Sequence, residues 1–296
     1  MERRLPAEKE TTYVDVAHLN KRGGRQGFVD YLIRVWETRD YISHEAKAQV
    51  TQGGEHQFLG NLWLIINPIL DGAVYFVVFG LILNLSDGID NFVAFLLIGV
   101  FLFQMTTKCV NGSAMSIYRF KPGGSGGLLP ALTAPLSVNA RVWLSGFPSY
   151  LVLLVMLLLI PPAEELSFYI LLLIPIIVLQ ALVNLGISVM AAHFVAVVPD
   201  VNNLLRVSTR AWMYGSGVMF SVDRFAELSP LLAFLIHWNP MAWVLSAARD
   251  VTIYGSAPAL EGWYIMLLWA VAPLLVGSLL VWWREGTYRK AGDNND

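Results

Sequence analysis

FLGNLWLIINPILDGAVYFVVFGLIL, running from Phe58 to Leu83, decides the fold class of this chain. About 20 consecutive, mainly apolar residues cross the hydrocarbon core of a bilayer as a helix, and this stretch is longer than that. It therefore reads as a transmembrane span. Three features set it apart from a plain anchor. Asn67-Pro68 interrupts its backbone bonding, because a proline ring leaves the carbonyl of Leu64 without its helical donor. Asp71 puts a carboxylate inside the run, and Trp63 stands near its start.

The composition agrees with a membrane protein. Of 296 residues, 56% are hydrophobic and 14% charged, and the mean hydropathy is +0.56. A soluble domain of this length carries far more charge. The net charge of −2 and a pI near 6.2 give no reason to expect nucleic acid as a partner. Cys109 is the single cysteine, so no intramolecular disulfide forms, and its place at the end of an apolar run reads as core filling. The polar N-terminus lacks the short apolar core of a signal peptide, so the first span is expected to direct insertion.

Toward the N-terminus, residues 1–26 hold many charges, Gly23-Gly24 and no apolar period, which predicts a flexible cytosolic tail. Phe28, Tyr31, Leu32, Val35 and Trp36 then recur at helical spacing while Asp30, Arg34 and Glu37 fall elsewhere. That is an amphipathic helix, lying either in the membrane interface or on a partner domain. Ser43 to Gln52 is a polar helix ended by Gly53-Gly54, placed where a cytosolic subunit could reach it.

Toward the C-terminus, apolar runs recur at Phe92–Val110, Val142–Ile160, Phe168–Val198, Leu204–Phe220 and Trp263–Trp283. Six spans leave both termini on one side. All but Arg224 and Arg249 of the twenty Lys and Arg residues fall on that side, which the positive-inside rule makes cytoplasmic. The fourth run is long and contains Pro175, predicting a tilt or break. Arg206 and Arg210 are expected near the cytosolic end of the fifth, reaching for headgroups. Between the last two runs, Leu228–Trp238 and Met241–Ala248 are apolar blocks too short to span, broken at Asn239-Pro240. They read as a re-entrant pair in the outer leaflet or as an extracellular amphipathic cap. The expected fold is thus all-α integral membrane: six transmembrane helices, an N-terminal interfacial amphipathic helix, and a re-entrant helix pair before the last span. In domains, this is a tail at 1–26, interfacial and gate helices at 27–57, a transmembrane domain at 58–285 and a cytosolic C-terminal tail at 286–296.

Catalytic motifs do not emerge. The five histidines show no metal-ligand spacing, and neither GxSxG nor HExxH occurs. The glycine-rich stretch RFKPGGSGGLLPALTAPLSVNAR, Arg119 to Arg141, is not a P-loop, because no lysine in the chain follows a glycine, and it reads as an irregular connector around a short interface helix. The chain has no ATP site of its own, no metal site and no bound cofactor to expect. Asp71, inside a span, faces either a functional cavity or a structural partner near the Pro68 kink. His193 is either a proton carrier or a hydrogen-bonded structural residue. Aromatic faces pack against sugar rings, which makes Tyr75, Phe76, Phe79, Phe101, Phe103, Trp212, Tyr214 and Phe220 candidates, with Asp71, for a substrate channel. Membrane aromatics also serve as core and interfacial anchors.

In its order of elements the chain resembles the transmembrane subunit of ABC-2-type polysaccharide exporters, the group of O-antigen and teichoic acid permeases. The matching residues are Arg39-Asp40, Leu59-Gly60 with Trp63 and Pro68, the VYFVVFG run from Val74, Pro199-Asp200 after the fourth run, and Asn239-Pro240-Met241 with Arg249 in the re-entrant motif. The long connection ISHEAKAQVTQGGEH departs from the family's shorter one, and with LWLIINPIL looks most similar to actinobacterial galactan export permeases. The resemblance implies a homodimer in the bacterial plasma membrane, paired with two copies of a cytosolic ABC ATPase that binds ATP and Mg. It implies an undecaprenyl-diphosphate-linked glycan as cargo. Arg34, Arg39 and Lys47 would meet the lipid diphosphate, and Ser43, His44, Glu45, Lys47, Arg119 and Lys121 would couple to the ATPase. The competing readings are an ion-coupled secondary transporter or channel, and a membrane enzyme acting on lipid-linked sugars.

Overall fold

The computed structural model describes residues 27–52, 60–75, 77–78, 91–120, 129–159, 167–220 and 229–293. Among the described residues every regular element is helical. In chain order these are α1 (Phe28–Glu37), α2 (Arg39–Gln52), α3 (Trp63–Tyr75, entered through a 3₁₀ turn), α4 (Phe92–Ser113), α5 (Thr133–Leu159), α6 (Leu173–Val197, after a 3₁₀ turn at Phe168–Leu172), α7 (Val201–Gly215), α8 (Pro230–His237), α9 (Pro240–Thr252) and α10 (Leu260–Asp293). Four segments of the described chain are long and apolar enough to cross a membrane: α4, α5, α6 with its 3₁₀ entry, and α10. The α8–α9 pair passes the same test jointly but is bent by 72°.

α4 is the central helix. It is apolar on all sides, and Leu96 to Ile98, Leu102 and Phe103 are almost wholly buried, as expected of a helix surrounded by others. Polar side chains then fix the helix directions. Gln180 of α6 donates from Nε2 to the Leu102 carbonyl (2.7 Å) and to Thr106 Oγ1 (3.3 Å) of α4, and accepts at Oε1 from the Tyr150 hydroxyl of α5 (3.0 Å). At a second level, Asn139 of α5 donates to Ser113 Oγ of α4 (2.8 Å), and Ser188 of α6 donates to Asn139 Oδ1 (3.5 Å). Between the two levels the residue numbers rise on α4 and α6 and fall on α5, so α5 is antiparallel to the other two. We call the Ser113 end lower and the Phe95 end upper.

α10 lies parallel to α6, with Gly186 against Pro273 and Leu274 and Gly277 against Val189 and Met190. α7 climbs beside α4 in the opposite direction. Asn111 Nδ2 donates to Thr209 Oγ1 (3.2 Å), Trp212 meets Phe103 edge-on at 5.5 Å, and the Val218 carbonyl lies against Gly99. The turn between α8 and α9 is deep: Thr106 Oγ1 donates to the Met241 sulfur (3.3 Å), whereas Arg249, at the other end of α9, reaches Phe95.

Several expectations shift. α5 begins at Thr133, not Val142, so much of the expected irregular connector is helix; residues 121–128 lie outside the described residues. Pro175 makes no break, because it is the third residue of α6, where its missing N–H has no intrahelical partner to lose. α7 stops at Gly215, short of Phe220, and with Arg206 and Arg210 within it fails the length and hydropathy test. Of the first expected span, Trp63–Tyr75 is helical with Pro68 inside it, while 79–83 lie outside the described residues. α10 continues to Asp293 through the expected tail, and the expected N-terminal tail, 1–26, also lies outside the described residues.

α1 starts where expected and packs on its own chain. The Tyr31 hydroxyl donates to Glu285 Oε2 (3.1 Å) and accepts from the Leu132 amide (3.2 Å), and Phe28 meets Trp282 edge-on at 5.6 Å. Val29, Ile33 and Trp36 form a second apolar stripe that remains exposed. α2 begins at Arg39, so the long connection is helical to Gln52; it lies on α5 with Ala46 fully buried.

Candidate functional site

The Asn239-Pro240 break is a hydrogen-bonded hub. Asn239 caps α9, its Oδ1 accepting from the Met241 amide (3.0 Å), and Pro240 takes the first helical position, where a proline costs nothing. The same Oδ1 accepts from Trp212 Nε1 (2.8 Å), while Nδ2 donates to the Gly215 carbonyl and Ser216 Oγ, both at 3.0 Å. One buried amide thus ties the α8–α9 turn to the upper end of α7. At the other end of α9, Arg249 is 6% exposed. Its Nη2 donates to the carbonyls of Phe95 (3.2 Å) and Val218 (3.1 Å), and its guanidinium carbon lies 3.3 Å from the centre of the Phe95 ring. Gly99 makes room for it, since a Cβ there would come within 2.7 Å of Nη2.

Beside this frame, α6, α7, α8 and α10 line an apolar cavity of ≈ 800 Å³ that extends toward the lower end. Its aromatic wall comprises Phe194, Trp212, Tyr214, Phe220, Trp238 and Trp269. Flat aromatic faces with few polar groups suit the C–H faces of sugar rings or a lipid chain, and the Trp and Tyr tips supply polar handles.

Trp212, Tyr214 and Phe220 among the expected channel residues meet in this cavity. Phe101 and Phe103 do not: at 6% and 1% exposed they are core residues around α4, placed inside the chain by its central position. Asp71 stands exposed on α3 and makes no hydrogen bond or ion pair among the described residues. Phe76 and Phe79 and the side chain of Tyr75 lie outside them. Of the expected diphosphate contacts, Arg39 donates to the Trp36 carbonyl (3.4 Å) and sits 5.7 Å from the Trp36 ring, and Lys47 is exposed on α2; Arg34 is half-buried on α1. Ser43, His44 and Lys47 point away from α5 on the exposed side of α2, Glu45 accepts from Gln49, Arg119 is exposed at the lower end, and Lys121 lies outside the described residues. His193 is bonded through Nδ1 to the Tyr288 hydroxyl at 2.7 Å, and Cys109 is fully buried.

The sequence reading missed Phe194, Trp238 and Trp269 as cavity walls. Trp238, beside Asn239-Pro240, carried a signal; Phe194 and Trp269 look like any span aromatic until the helices are packed.

No protein-family model matches the chain. The chain is similar to O-antigen export system permease proteins. Two are from Klebsiella pneumoniae, 23% identical over 73% of this chain and 80% of the relative, and 24% identical over 78% and 86%. A third, from Myxococcus xanthus, is 22% identical over 73% and 84%. These permeases belong to the group that the chain's own motifs resemble.

Proposed function

We propose that this chain is the membrane permease subunit of an ATP-driven exporter that moves a lipid-linked surface polysaccharide outward across the bacterial plasma membrane. The similarity to O-antigen export permeases over about three quarters of the chain carries this reading. Six spans go with it. α6 descends to the lower end and α10 starts at the upper end, so the chain climbs between them, and α7 with its extension to Phe220 is the climbing segment. The depth of the Asn239 turn, with Met241 beside Thr106 and Arg249 beside Phe95, supports a re-entrant pair. The Lys and Arg bias supports a cytoplasmic lower end and cytoplasmic termini.

In this reading two copies form the channel, and two copies of a separate ABC ATPase, binding ATP and Mg, drive it. ATPase closure pushes on α2 through its exposed Ser43, His44 and Lys47 and on the turn at Arg119, and α2 passes the push to α5. The aromatic cavity then offers sugar-binding walls as α3 and α7 of the two copies separate. The cargo is an undecaprenyl-diphosphate-linked glycan, with a galactan as the specific candidate.

Depletion of the chain in cells should leave lipid-linked glycan on the cytoplasmic side, out of reach of an impermeant lectin, and the purified chain should bring down an ATPase with a P-loop. Normal surface glycan after complete depletion, in a strain without a second exporter, overturns the proposal.

A further inference from the structure

A second cavity lies at the lower end, between α4, α5 and α7, with a volume of ≈ 610 Å³. Its chemistry is opposite to that of the aromatic cavity. Lys108 from α4, Arg141 from α5, and Arg206 and Arg210 from α7 line it, and no carboxylate does among the described residues. Asn111 and Thr209, hydrogen-bonded to each other across the wall, add polar groups. None of the four cations makes an ion pair among the described residues, and Arg141 Nε is buried without a partner.

The positive-inside bias accounts for basic residues at this end but not for their convergence. The four come from three helices, distant in sequence, and face one space. Arg206 and Arg210 stand one turn apart, so both guanidinium groups lie on the same face of α7. Like charges held together without a counter-ion favour a multiply charged anion, and guanidinium forks match phosphate oxygens in geometry. Lys108 lies little more than a turn above the lower end of α4, so the cavity opens at that end of the helix bundle.

Resting on the exporter reading for its physiological source, we infer that this pocket binds a diphosphate group, and that Lys108, Arg141, Arg206 and Arg210, rather than Arg34, Arg39 and Lys47, hold the head of the lipid carrier. The same phosphate chemistry is present in soluble pyrophosphate and in anionic phospholipid, so the test separates these sources. The full chain in neutral phosphatidylcholine nanodiscs is titrated with undecaprenyl diphosphate, with inorganic pyrophosphate and with phosphatidylglycerol as competitors.

Undecaprenyl diphosphate should bind, and R206Q/R210Q should weaken it by at least about tenfold, the loss expected from removing charge-assisted bonds. R206K/R210K should recover part of the affinity, and R39Q/K47Q should leave it within about twofold. Both arginines of α7 are exposed, so the variants keep the packed core. Pyrophosphate binding equally tightly, with the same loss in R206Q/R210Q, supports the pocket and assigns it a soluble ligand. Equal competition by phosphatidylglycerol overturns the diphosphate assignment. Unchanged affinity in R206Q/R210Q, or a loss confined to R39Q/K47Q, overturns the site. Binding needs no ATPase, so failure of the export test with intact binding removes the exporter reading alone, and export with unaltered R206Q/R210Q binding removes only the pocket.

Discussion

Gln180 and Asn184 stand one turn apart on the same face of α6, and both are wholly buried, yet they have opposite energetics. Gln180 is bonded to α4 and α5 through both ends of its amide, whereas neither Nδ2 nor Oδ1 of Asn184 has a partner among the described residues. Removing one partner from a buried network leaves the others unsatisfied, so Gln180→Leu should cost about 1–3 kcal/mol. Asn184→Leu has no bond to lose and should be neutral or stabilising. Thermal unfolding of both variants in detergent decides it, and equal losses would show that Asn184 has a partner. Arg249 is held by two carbonyls and a ring face, a geometry that a planar fork serves and an ammonium does not. Arg249→Lys should therefore behave almost as badly as Arg249→Ala, releasing α9 from α4; a near-native melting point for the lysine variant would count against the clamp.

At the scale of elements, α6 and α10 are packed most intimately because glycines let their backbones approach. A Cβ on Gly186 would stand 2.9 Å from the Leu274 amide nitrogen, contact that only a backbone shift relieves. A Cβ on Gly286, also in α10, would meet nothing within 4 Å. Gly186→Ala should destabilise by roughly 1–3 kcal/mol through overpacking, while Gly286→Ala should stabilise by up to about 1 kcal/mol through helix propensity. Equal effects in a denaturation series would mean that the two helices are not in close register. Small residues at membrane helix interfaces do this generally, since van der Waals packing replaces the hydrophobic drive that lipid cannot supply. α1 shows the converse: its Tyr31 and Val35 are covered by its own chain, while its second apolar stripe, Val29, Ile33 and Trp36, stays exposed.

For the whole molecule, the proposed homodimer is expected to cover the exposed apolar face of α3, with Ile65, Ile69, Leu70 and Val74. Cys109 is fully buried, so a cysteine introduced at Val74 is the reactive thiol for oxidative cross-linking. Val74→Cys should give a disulfide-linked dimer in native membranes and an unmodified monomer when placed instead at Leu275 on α10; dimer from both sites, or neither, removes α3 from the interface. Asp71, exposed on the same helix and without a partner among the described residues, becomes a candidate interface or pore group. The amphipathic helix at Phe28, the long apolar helices and the Asn239-Pro240 break were legible in the residues, because hydropathy period, span length and proline chemistry act within a single segment. The start of α5 and the smooth entry at Pro175 were not, because glycine and proline positions tell only what a helix tolerates. Residue order alone thus determined a helical membrane protein with its basic residues gathered at one end, since bilayer thickness and charge solvation act on local sequence. Only the tertiary structure decided that Phe103 is core and Trp212 cavity wall, that α7 retraces α4, and that Lys108, Arg141, Arg206 and Arg210 face one space, because those facts depend on which helix faces meet.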